Sequence, residues 1–303
     1  SDLGSITQLD DFHNAIDTRV LQIYFVHGYI PAPYSIYENI YKLDAGCMLE
    51  MDAPYTEPKI SAYWSVREAA RYGEAHPFKG TRQEAADELE RLLKASIRDQ
   101  MVADVPVGAF LSAGIDSSTV VALMQAQSNR KVRSFTIGMD DPKYNEATYA
   151  KEIAQHLGTE HTELYITEED AKAVIPKLPW MFGEPFADSS QIPTYLVSKM
   201  TREHVTVSLS GDAGDELFCG YGSYSSINRI WGKMKAYPYG LRKICSELVL
   251  HAPFGKNNQL LQTKAYLLGA RGPENLYEIS NAQELLSTRI PLEKNVYSYK
   301  QSQ

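Results

Sequence analysis

The central part of the chain alternates between two hydrophobic patterns. Over residues 105–211, four apolar runs of strand length are separated by segments with apolar residues at helical spacing. Strands that are apolar throughout and alternate with helices are typical of a parallel sheet covered on both faces. Right-handed crossovers then predict a doubly wound α/β domain. The runs are VPVGAFL at 105–111, VRSFTIG at 132–138, EHTELYI at 160–166 and HVTVSLSG at 204–211.

A long amphipathic helix precedes the first of these strands. Thr81 and Glu84 have the spacing of a capping box. Apolar residues then follow at helical spacing and predict a helix with one buried face. This stripe consists of Ala85, Leu89, Leu92, Leu93 and Ile97.

The first 75 residues follow neither pattern. Residues 12–64 contain short alternating stretches broken by proline and glycine, which predict short strands, and residues 67–81 read as a polar link. Beyond Gly220 the sequence predicts helices and loops and no further strand. We therefore predict two domains: a short β-rich unit at 1–75, and the α/β domain, with a helical C-terminal part, at 76–303.

Composition excludes several classes of function. The 303 residues are 44% hydrophobic and 22% charged, with a formal net charge of -8. An acidic chain without clustered Lys and Arg argues against a nucleic-acid surface. No apolar run reaches the length of a membrane span, and the first residues lack the features of a signal peptide. We expect a cytoplasmic protein that binds neither nucleic acid nor membrane.

Cysteine and histidine spacing points to no metal site. Cys47, Cys219 and Cys245 are odd in number and far apart, so we expect three small buried or half-buried residues rather than disulfides or a zinc site. Seven histidines, among them His156 and His161, have no metal-ligand spacing. We expect them at the surface or at helix ends.

The segment FLSAGIDSS at 110–118 joins a predicted strand to a predicted helix. Ligands of open parallel sheets bind at such turns, where the free amides of a helix N-terminus point outward. Gly114 can take a positive φ, and three hydroxyl groups add donors around an anion. Those hydroxyls belong to Ser112, Ser117 and Ser118.

Asp116 in the same turn would repel a bare phosphate. Its carboxylate makes sense with magnesium (Mg2+), which prefers carboxylate, phosphate and water oxygens. The alternative is a turn in which Asp116 only caps a helix. The segment is not a Walker loop, because it lacks the GK[ST] ending.

A second turn, VSLSGDAGDELFCGY at 207–221, has a similar pattern after another strand. Ser210 and Gly211 turn the chain, and three acids follow within five positions. They could be only partners of a helix dipole. Together the two turns could supply two magnesium ligands, Asp116 and Asp215, and a carboxylate that faces a substrate. The three acids are Asp212, Asp215 and Glu216.

These segments resemble a known family. FLSAGIDSS is similar to the pyrophosphate loop of the ATP pyrophosphatases, usually Ser-Gly-Gly-x-Asp-Ser, and LSGDAGDELFCGY resembles the second signature of glutamine-hydrolysing asparagine synthetases. Between and before them stand, in the family's order, HGYIPAPYSIYENIYKLDAG, SFTIGMDDPKYNEATYAKEIAQHLGTEH and EPFADSSQIPTYLVSK. The resemblance covers about residues 12–224.

The resemblance implies a fold of the adenine-nucleotide α-hydrolase type and a ligase reaction. In this family ATP activates the side-chain carboxylate of aspartate, a β-aspartyl adenylate forms, pyrophosphate leaves, and ammonia from glutamine displaces AMP. ATP and magnesium are therefore the expected cofactors, and aspartate and ammonia the expected substrates. A homodimer is one possible assembly of the full-length enzyme.

The resemblance also assigns roles to individual residues. A cradle for pyrophosphate and magnesium would consist of Ser112, Gly114, Asp116, Ser117 and Ser118. The base and ribose of the nucleotide would lie near Phe110, Leu111 and Ile137. Further nucleotide contacts would come from Ser210 and Gly211, a second magnesium ligand from Asp215, and the acid needed for adenylate formation from Asp212.

Some positions depart from the family pattern. Ala113 replaces a usual glycine, and a positive φ there would strain the loop by about 1 kcal/mol or more. Cys219 also stands where glycine is usual, and we expect little effect. Asp212 is an accepted alternative to the longer glutamate. In EPFADSS, Asp188 and Ser189 would lie near the active cleft or in a helix-capping loop.

Two family features do not occur in the chain: the catalytic N-terminal cysteine of the glutaminase domain, and a later helical region with a lysine that faces the phosphates. The resemblance therefore implies an excerpt of a longer enzyme: residues 1–75 would be the tail of the glutaminase domain with a linker, and residues 76–303 the N-terminal part of the ATP-dependent synthetase domain. We expect this excerpt to be inactive alone and to have an exposed apolar face where the glutaminase domain docks. The rival hypotheses are a related adenylating ligase, of β-lactam synthetase or peptide-cyclising type, and a non-catalytic nucleotide-binding protein in which Ala113 has disabled the loop.

Overall fold

The computed structural model of the chain describes residues 3–139, 145–251, 265 and 267–272. Predictions that concern 140–144, 252–264, 266 and 273–303, including most of the final helical part, lie outside the described residues. The chain divides into two compact units, each described by itself. The terminal unit comprises Ser1–Lys42, Glu184–Ala187 and Asp215–Gln303, and the sheet unit comprises Leu43–Gly183 and Asp188–Gly214.

The bounds of the elements follow the chain. The strands are β1 (Cys47–Glu50), β2 (Lys59–Ala62), β3 (Val107–Phe110), β4 (Arg133–Met139), β5 (Glu160–Ile166) and β6 (Val207–Leu209). The first helices are α1 (Leu3–Ile6), α2 (Val20–His27), α3 (Val66–Ala75), α4 (Arg82–Gln100), α5 (Ile115–Ala126) and α6 (Ala147–Leu157). The later ones are α7 (Glu168–Val174), α8 (Leu178–Phe182), α9 (Gln191–Thr201), α10 (Gly214–Phe218), α11 (Gly222–Met234) and α12 (Tyr239–His251), with a 3-10 turn at Ile175–Lys177.

The sheet unit contains a parallel four-stranded sheet in the order β5-β4-β3-β6. Numbered along the chain from β3, this order is 3-2-1-4, which is the beginning of the doubly wound nucleotide-binding arrangement. β3 pairs with β6 from Val107 opposite Val207 to Ala109 opposite Leu209. β4 and β5 are added on one side of β3 and β6 on the other, so the strand order changes direction between β3 and β6. The predicted α/β class and all four predicted strands are confirmed.

Side chains of one strand pack into two separate cores. Ala109 and Leu111, at and just after the end of β3, lie in a cluster with Val121 of α5 and Ala150 of α6. Phe110, between them, faces another cluster, which contains Phe135, Met200 and Val205. Successive residues of a strand point to opposite faces, so helices cover the sheet on both sides. The doubly wound arrangement is therefore confirmed.

Helix α4 begins as the sequence predicts. Thr81 and Glu84 form the complete capping box. Only the C-terminal half of the predicted stripe joins the core, where Ile97 is buried and Leu93 partly buried. Leu89 and Leu92 are 37% and 51% exposed, so the prediction of one continuous buried face is wrong for the first half of the helix.

The segment before α4 has no core of its own. β1 and β2 form an antiparallel hairpin, and from residue 48 to residue 87 every side chain except Ser65 is exposed. The predicted polar link is wrong, because residues 66–75 form α3: the Ser65 hydroxyl accepts a hydrogen bond from the Glu68 amide at 3.4 Å and caps the helix. The predicted domain boundary after residue 75 falls between α3 and α4 and stays a prediction.

The N-terminal part of the terminal unit is not rich in strands. α2 supplies Val20 to a cluster with Ile30 and Ile36, and the tyrosine-rich stretch forms only isolated bridges, Ile16 with Tyr37 and Tyr34 with Tyr41. The prediction of a β-rich segment is therefore wrong for residues 12–42. Prolines at 31 and 33 explain this, since proline cannot donate to a ladder.

Residues Glu184–Ala187 belong to the terminal unit although they lie far away in sequence. The Glu184 carboxylate accepts hydrogen bonds from the Lys42 ammonium group and from the Ile36 amide. The amide of Ala187 donates to the carbonyl of Gly28 at 2.7 Å. The start of the EPFADSS segment is therefore anchored to the stretch that precedes β1.

The helices α11 and α12 confirm the predicted helical character after Gly220 as far as the chain is described. Ile227 and Met234 pack with Trp231 and Ala270. Arg242 is buried, and it donates to the carbonyls of Leu268 and Ala270 at 3.0 and 2.7 Å. Within the described ranges, no helix combines the length and the apolarity that crossing a bilayer requires.

Three expectations about single residues are wrong. Cys219 and Cys245 are exposed rather than buried, whereas Cys47 is half-buried as expected. His156 lies exposed in the last turn of α6, as predicted. His161 lies instead on β5, half-buried, with Nδ1 2.8 Å from the Ser134 hydroxyl. The cause is the sheet, which turns this position inward.

Candidate functional site

The two signature turns follow neighbouring strands. FLSAGIDSS leaves β3, and SGDAGDE leaves β6, which is hydrogen-bonded to β3. In the order 3-2-1-4 these strands flank the point where the sheet changes its direction of growth. Crevices at such points are the usual ligand sites of open α/β sheets.

Two serines close the first turn from within. The amide of Ser112 donates to the Ser117 hydroxyl oxygen at 3.0 Å, and the two hydroxyl oxygens are 2.8 Å apart. Ser117 is buried, and Ser118 donates its hydroxyl to the carbonyl of Gly114 at 2.7 Å. Ser117 and Ser118 therefore shape the loop. Ser112, which is hydrogen-bonded to Ser117, is half-buried.

The backbone of this loop is not strained. Gly114 has φ −72° and ψ 152° as the N-cap of α5, so it does not use the positive φ that is open to glycine, because an N-cap takes the extended region. Ala113, which is among the described residues, does not have a positive φ. The strain considered for Ala113 is therefore also absent.

Asp116 does not cap the helix. Gly114 occupies the N-cap, and Asp116 lies in the first turn of α5, half-buried. A Cβ at Gly214 would collide with the Asp116 carboxylate. The acid of the first turn is therefore packed against the second turn, which the simple capping interpretation does not explain.

Gly211 meets the start of α5 on its backbone. A Cβ at Gly211 would lie 2.6 Å from the amide nitrogen of Ser117 and 3.0 Å from its Cα. Only a residue without a side chain permits this approach. Gly211 and Gly214 thus hold the two signature turns against each other.

The second turn is tight and carries one residue in an unusual conformation. The amide of Gly214 donates to the carbonyl of Gly211 at 3.2 Å, and Ala213 has φ 72°. A positive φ at the third position is typical of a type II turn, which favours glycine. Asp212 is exposed, and its carboxylate accepts the hydroxyl of Ser210 at 2.9 Å.

The remaining acids of the second signature lie in the terminal unit. α10 ends at Phe218, and Cys219 follows it with φ 58°. The amide of Gly220 then donates to the carbonyl of Asp215 at 2.9 Å. The hydroxyl of Tyr221 donates to the Glu216 carboxylate at 2.8 Å. This bond, together with burial, raises the pKa of Tyr221 to about 12.

The residues expected near the base and ribose have different surroundings. Leu111 is 2% exposed and lies in the core. Its amide donates to the Phe135 carbonyl, and its carbonyl accepts from the Thr136 hydroxyl. Phe110 packs in the cluster on the other face, and Ile137 is half-buried on β4. Their contact with a nucleotide stays a prediction.

The described residues contain no group of three or more His, Cys, Asp or Glu side chains that could hold a metal ion. Magnesium accepts one or two carboxylates when phosphate oxygens and water complete its octahedral shell. Within the described part of the chain, one or two carboxylates would therefore suit an ion that arrives with a nucleotide better than a metal site made of protein groups alone.

Comparison with known proteins assigns the chain to a family. The asparagine synthase profile matches residues 88–299. This chain belongs to the asparagine synthase family. The matched region contains the parallel sheet and both signature turns.

Relatives in this family share about a third of the sequence. A putative glutamine-hydrolyzing asparagine synthetase of Methanocaldococcus jannaschii is 36% identical over 277 residues, which are 91% of this chain and 52% of that protein. Asparagine synthetase 1 of Bacillus subtilis is 30% identical over 279 residues, 91% of this chain and 43% of that protein. The chain thus spans about half the length of the curated relatives it matches.

A solved structure resembles the chain only distantly. NH3-dependent NAD synthetase from Campylobacter jejuni aligns over 68% of this chain and 98% of its own, with a TM-score of 0.37 and 16% identity. A likeness of this size supports no argument about the site.

Sequence reasoning missed several residues of the asparagine synthase signatures. Gly214 packs on Asp116, and Gly220 and Tyr221 return to the acids of α10. Their signal was present, since two glycines and a tyrosine lie within eight positions of SGDAGDELFCGY. A glycine in a sequence indicates freedom of the backbone, whereas the neighbour that needs the space is visible only in the fold.

Proposed function

We propose that this chain carries the ATP-binding half of a glutamine-hydrolysing asparagine synthetase. The observation that carries the proposal is the contact between the two signature turns, Gly211 on Ser117 and Gly214 on Asp116, at the point where the sheet changes direction. The family and the asparagine synthetase relatives support ATP-dependent asparagine synthesis in general. The proposed reaction is amidation of aspartate through a β-aspartyl-AMP intermediate.

The first turn would bind the phosphates of ATP through its backbone. α5 has twelve residues and begins at a glycine that offers no side-chain cap to the first amides. Such amides form an anion site at the positive end of the helix dipole. In the proposal Ser112, Gly114, Ser117 and Ser118 cradle pyrophosphate, while Phe110, Leu111 and Ile137 border the base and ribose.

Asp116 and Asp215 would hold Mg2+. The fit rests on the donors, since carboxylate oxygens suit this ion, and on Gly214, whose missing side chain makes room for the Asp116 carboxylate. Magnesium, when bound, would neutralise charge on the phosphates. Asp116 and Asp215 would each act by keeping a carboxylate oriented toward that charge.

The remaining roles concern the acceptor side. Ser210 and Gly211 would contact the nucleotide, and Asp212 would be the acid needed for adenylate formation. Exposure of Asp212 and its hydrogen bond from Ser210 are compatible with a carboxylate that is oriented before a substrate arrives. Most of the rate would come from positioning and charge neutralisation rather than covalent work by side chains.

The activity of the whole protein is part of the same proposal. Ammonia would come from glutamine hydrolysed by the glutaminase domain of the full-length protein. The proposed location is the cytoplasm, and the proposed assembly of the full-length enzyme is a homodimer. The chain itself would be inactive alone. The rival hypothesis is a non-catalytic nucleotide-binding protein in which Ala113 has disabled the loop. Ala113 has no positive φ, so backbone strain does not support this rival, and ATP binding by the full-length protein is its test.

The experiment is an assay of pyrophosphate release by the full-length protein with ATP, Mg2+ and candidate carboxylates. We expect release that requires aspartate and that Asp116→Ala lowers by more than 100-fold, an order of magnitude typical of lost electrostatic stabilisation. Asp104→Ala, at an exposed loop position, is the matched control and should behave as the wild type. Release with another carboxylate but not with aspartate would favour a β-lactam synthetase or peptide-cyclising ligase.

A further inference from the structure

The last two residues of the second signature, Gly220 and Tyr221, contact the acidic residues at the start of α10. α10 has only five residues, and Cys219 in the left-handed region ends it. The amide of Gly220 then donates to the carbonyl of Asp215, at the beginning of the same helix. The two residues after Cys219 therefore return directly to the first turn of α10.

Gly220 determines the space available to Asp215. A Cβ at Gly220 would collide with Oδ1 and Cγ of Asp215. The half-buried carboxylate therefore occupies the volume that any other residue at 220 would fill. An alanine at 220 would force Asp215 into another rotamer or move the turn.

Tyr221 acts on the next acid. Its hydroxyl donates to Oε1 of Glu216 at 2.8 Å, and its ring makes an edge contact with Tyr224 at a centroid distance of 5.6 Å. A hydrogen bond to a charged group is stronger than one between neutral groups. Glu216 is thus tethered, whereas the Asp215 carboxylate rests against a bare backbone.

We propose that Gly220 and Tyr221 are positioning residues of this site. Gly220 leaves room for the Asp215 carboxylate, and Tyr221 ties Glu216 back, so that two adjacent acids do not compete for one cation. The inference rests on the proposed function, because it takes Asp215 as the magnesium ligand. It adds that Glu216 is held by protein rather than by metal.

The test measures ATP binding to the full-length protein by calorimetry at a series of Mg2+ concentrations. We expect Tyr221→Phe to raise the Mg2+ concentration for half-maximal binding about three- to tenfold, the effect of losing one typical hydrogen bond, because Glu216 is exposed to solvent. Gly220→Ala should raise it at least as much. Tyr237→Phe, at a 60% exposed tyrosine of the same unit, should leave it unchanged.

A second readout separates positioning from general stability. ATP affinity at saturating Mg2+ should stay at the wild-type value in Tyr221→Phe, because only the metal requirement has changed. Glu216→Ala should keep the wild-type Mg2+ midpoint, because no second acid remains to compete for the cation. The double variant Tyr221→Phe/Glu216→Ala should return to the wild-type midpoint, since the effects of two partners in one contact are not additive. A double variant that keeps the raised midpoint of Tyr221→Phe would overturn the inference.

The outcomes distinguish this inference from the function on which it rests. If Asp116→Ala loses Mg2+-dependent binding while both Gly220→Ala and Tyr221→Phe titrate like the wild type, the positioning roles are wrong and the proposed function stands. If the wild type itself shows no Mg2+-dependent ATP binding, both the positioning roles and the proposed function are wrong. Should Gly220→Ala fail to fold, Tyr221→Phe decides, because it adds no atom.

Discussion

Gly211 lies so close to Ser117 that a methyl group on it would sit 2.6 Å from the Ser117 amide nitrogen. This contact holds the SGDAGDE turn against the N-terminus of α5, where the proposal places the phosphates. The loss of that approach should therefore affect stability and nucleotide binding together.

We expect Gly211→Ala to lower the free energy of unfolding by about 1–3 kcal/mol, the usual cost of overpacking, and to weaken Mg2+-ATP binding at least tenfold. Urea denaturation and calorimetric titration measure the two effects. Gly73→Ala is the matched control, because a Cβ at that position meets nothing within 4 Å. Equal behaviour of the two variants would show that the contact is unimportant.

Ala113→Gly should change little. Ala113 has no positive φ to relieve, so glycine would only add conformational freedom to the unfolded chain, at a cost of about 0.4–1 kcal/mol. ATP affinity should remain within about twofold of the wild type, a difference smaller than one weak contact contributes. A large gain in affinity would mean that the methyl group obstructs the phosphates.

Cys219→Gly should stabilise the protein, contrary to the small effect expected from sequence. Cys219 has φ 58° just after α10, and a non-glycine residue in this region costs about 1–2 kcal/mol. Part of that gain is offset because glycine loses more entropy on folding, so we expect a net increase of about 0.5–1 kcal/mol.

The control for this prediction is the other exposed cysteine of the terminal unit. Cys245 lies within α12, where glycine is unfavourable, so Cys245→Gly should destabilise the protein by a few tenths of a kcal/mol up to about 1. Opposite signs in urea denaturation would support the assignment of Cys219. A destabilising Cys219→Gly would contradict it.

His161 should make stability depend on pH. Burial lowers the pKa of His161, which Glu163 opposes and Lys151 reinforces. Among the described residues its Nε2 is buried without a hydrogen-bond partner. Below the unfolded pKa of about 6.5, the unfolded chain binds a proton that the folded chain does not, so the free energy of unfolding falls with falling pH.

Urea denaturation at pH 7.5 and at pH 5.5 measures this dependence. We expect the decrease between the two values to shrink in His161→Gln, which does not titrate in this range. His156→Gln is the matched control, because His156 is exposed at the end of α6, and should keep the wild-type difference. An unchanged difference in His161→Gln would assign the pH dependence to other groups.

The hairpin before α4 should bind a hydrophobic dye. Leu49 lies opposite Ile60 in the register of β1 and β2, and the two side chains are 44% and 60% exposed. We propose these two side chains as part of the exposed apolar face that the sequence predicts for docking of a glutaminase domain. Leu49→Thr with Ile60→Thr should lower dye fluorescence, whereas Ser61→Thr, on the same strand, should not. Equal fluorescence in all three proteins would refute the prediction.

Sequence patterns that act locally, namely continuous apolar runs and a capping box, predicted the fold well. The four parallel strands are continuous apolar runs, and α4 begins at the capping box of Thr81 and Glu84. The prediction of a buried stripe was wrong for the first half of α4, because Leu89 and Leu92 have helical spacing but no core to pack against. Helix α3 was missed because most of its ten residues are charged or alanine and all are exposed, so no stripe of large apolar residues marks it in the sequence.

The candidate site was predictable to a lesser degree. Acids and hydroxyls of both turns stand in the sequence, so Asp116 and Asp212 could be found there. The strand order that makes β3 and β6 neighbours is a tertiary property, and so is the contact between Gly214 and Asp116. Conformation also resisted prediction, since Gly114 does not use its freedom and Cys219 takes a region that favours glycine.

The exposure of residues 48–87 has a practical consequence for proteolysis. Lys79 lies in the stretch between α3 and α4, which forms neither helix nor strand, and such exposed segments are where proteases cut first. Trypsin should therefore cut the chain after Lys79 at an early stage, while residues 28–42 keep their hydrogen bonds to Glu184 and Ala187. The new end would lie one residue before Thr81, whose capping box already closes α4.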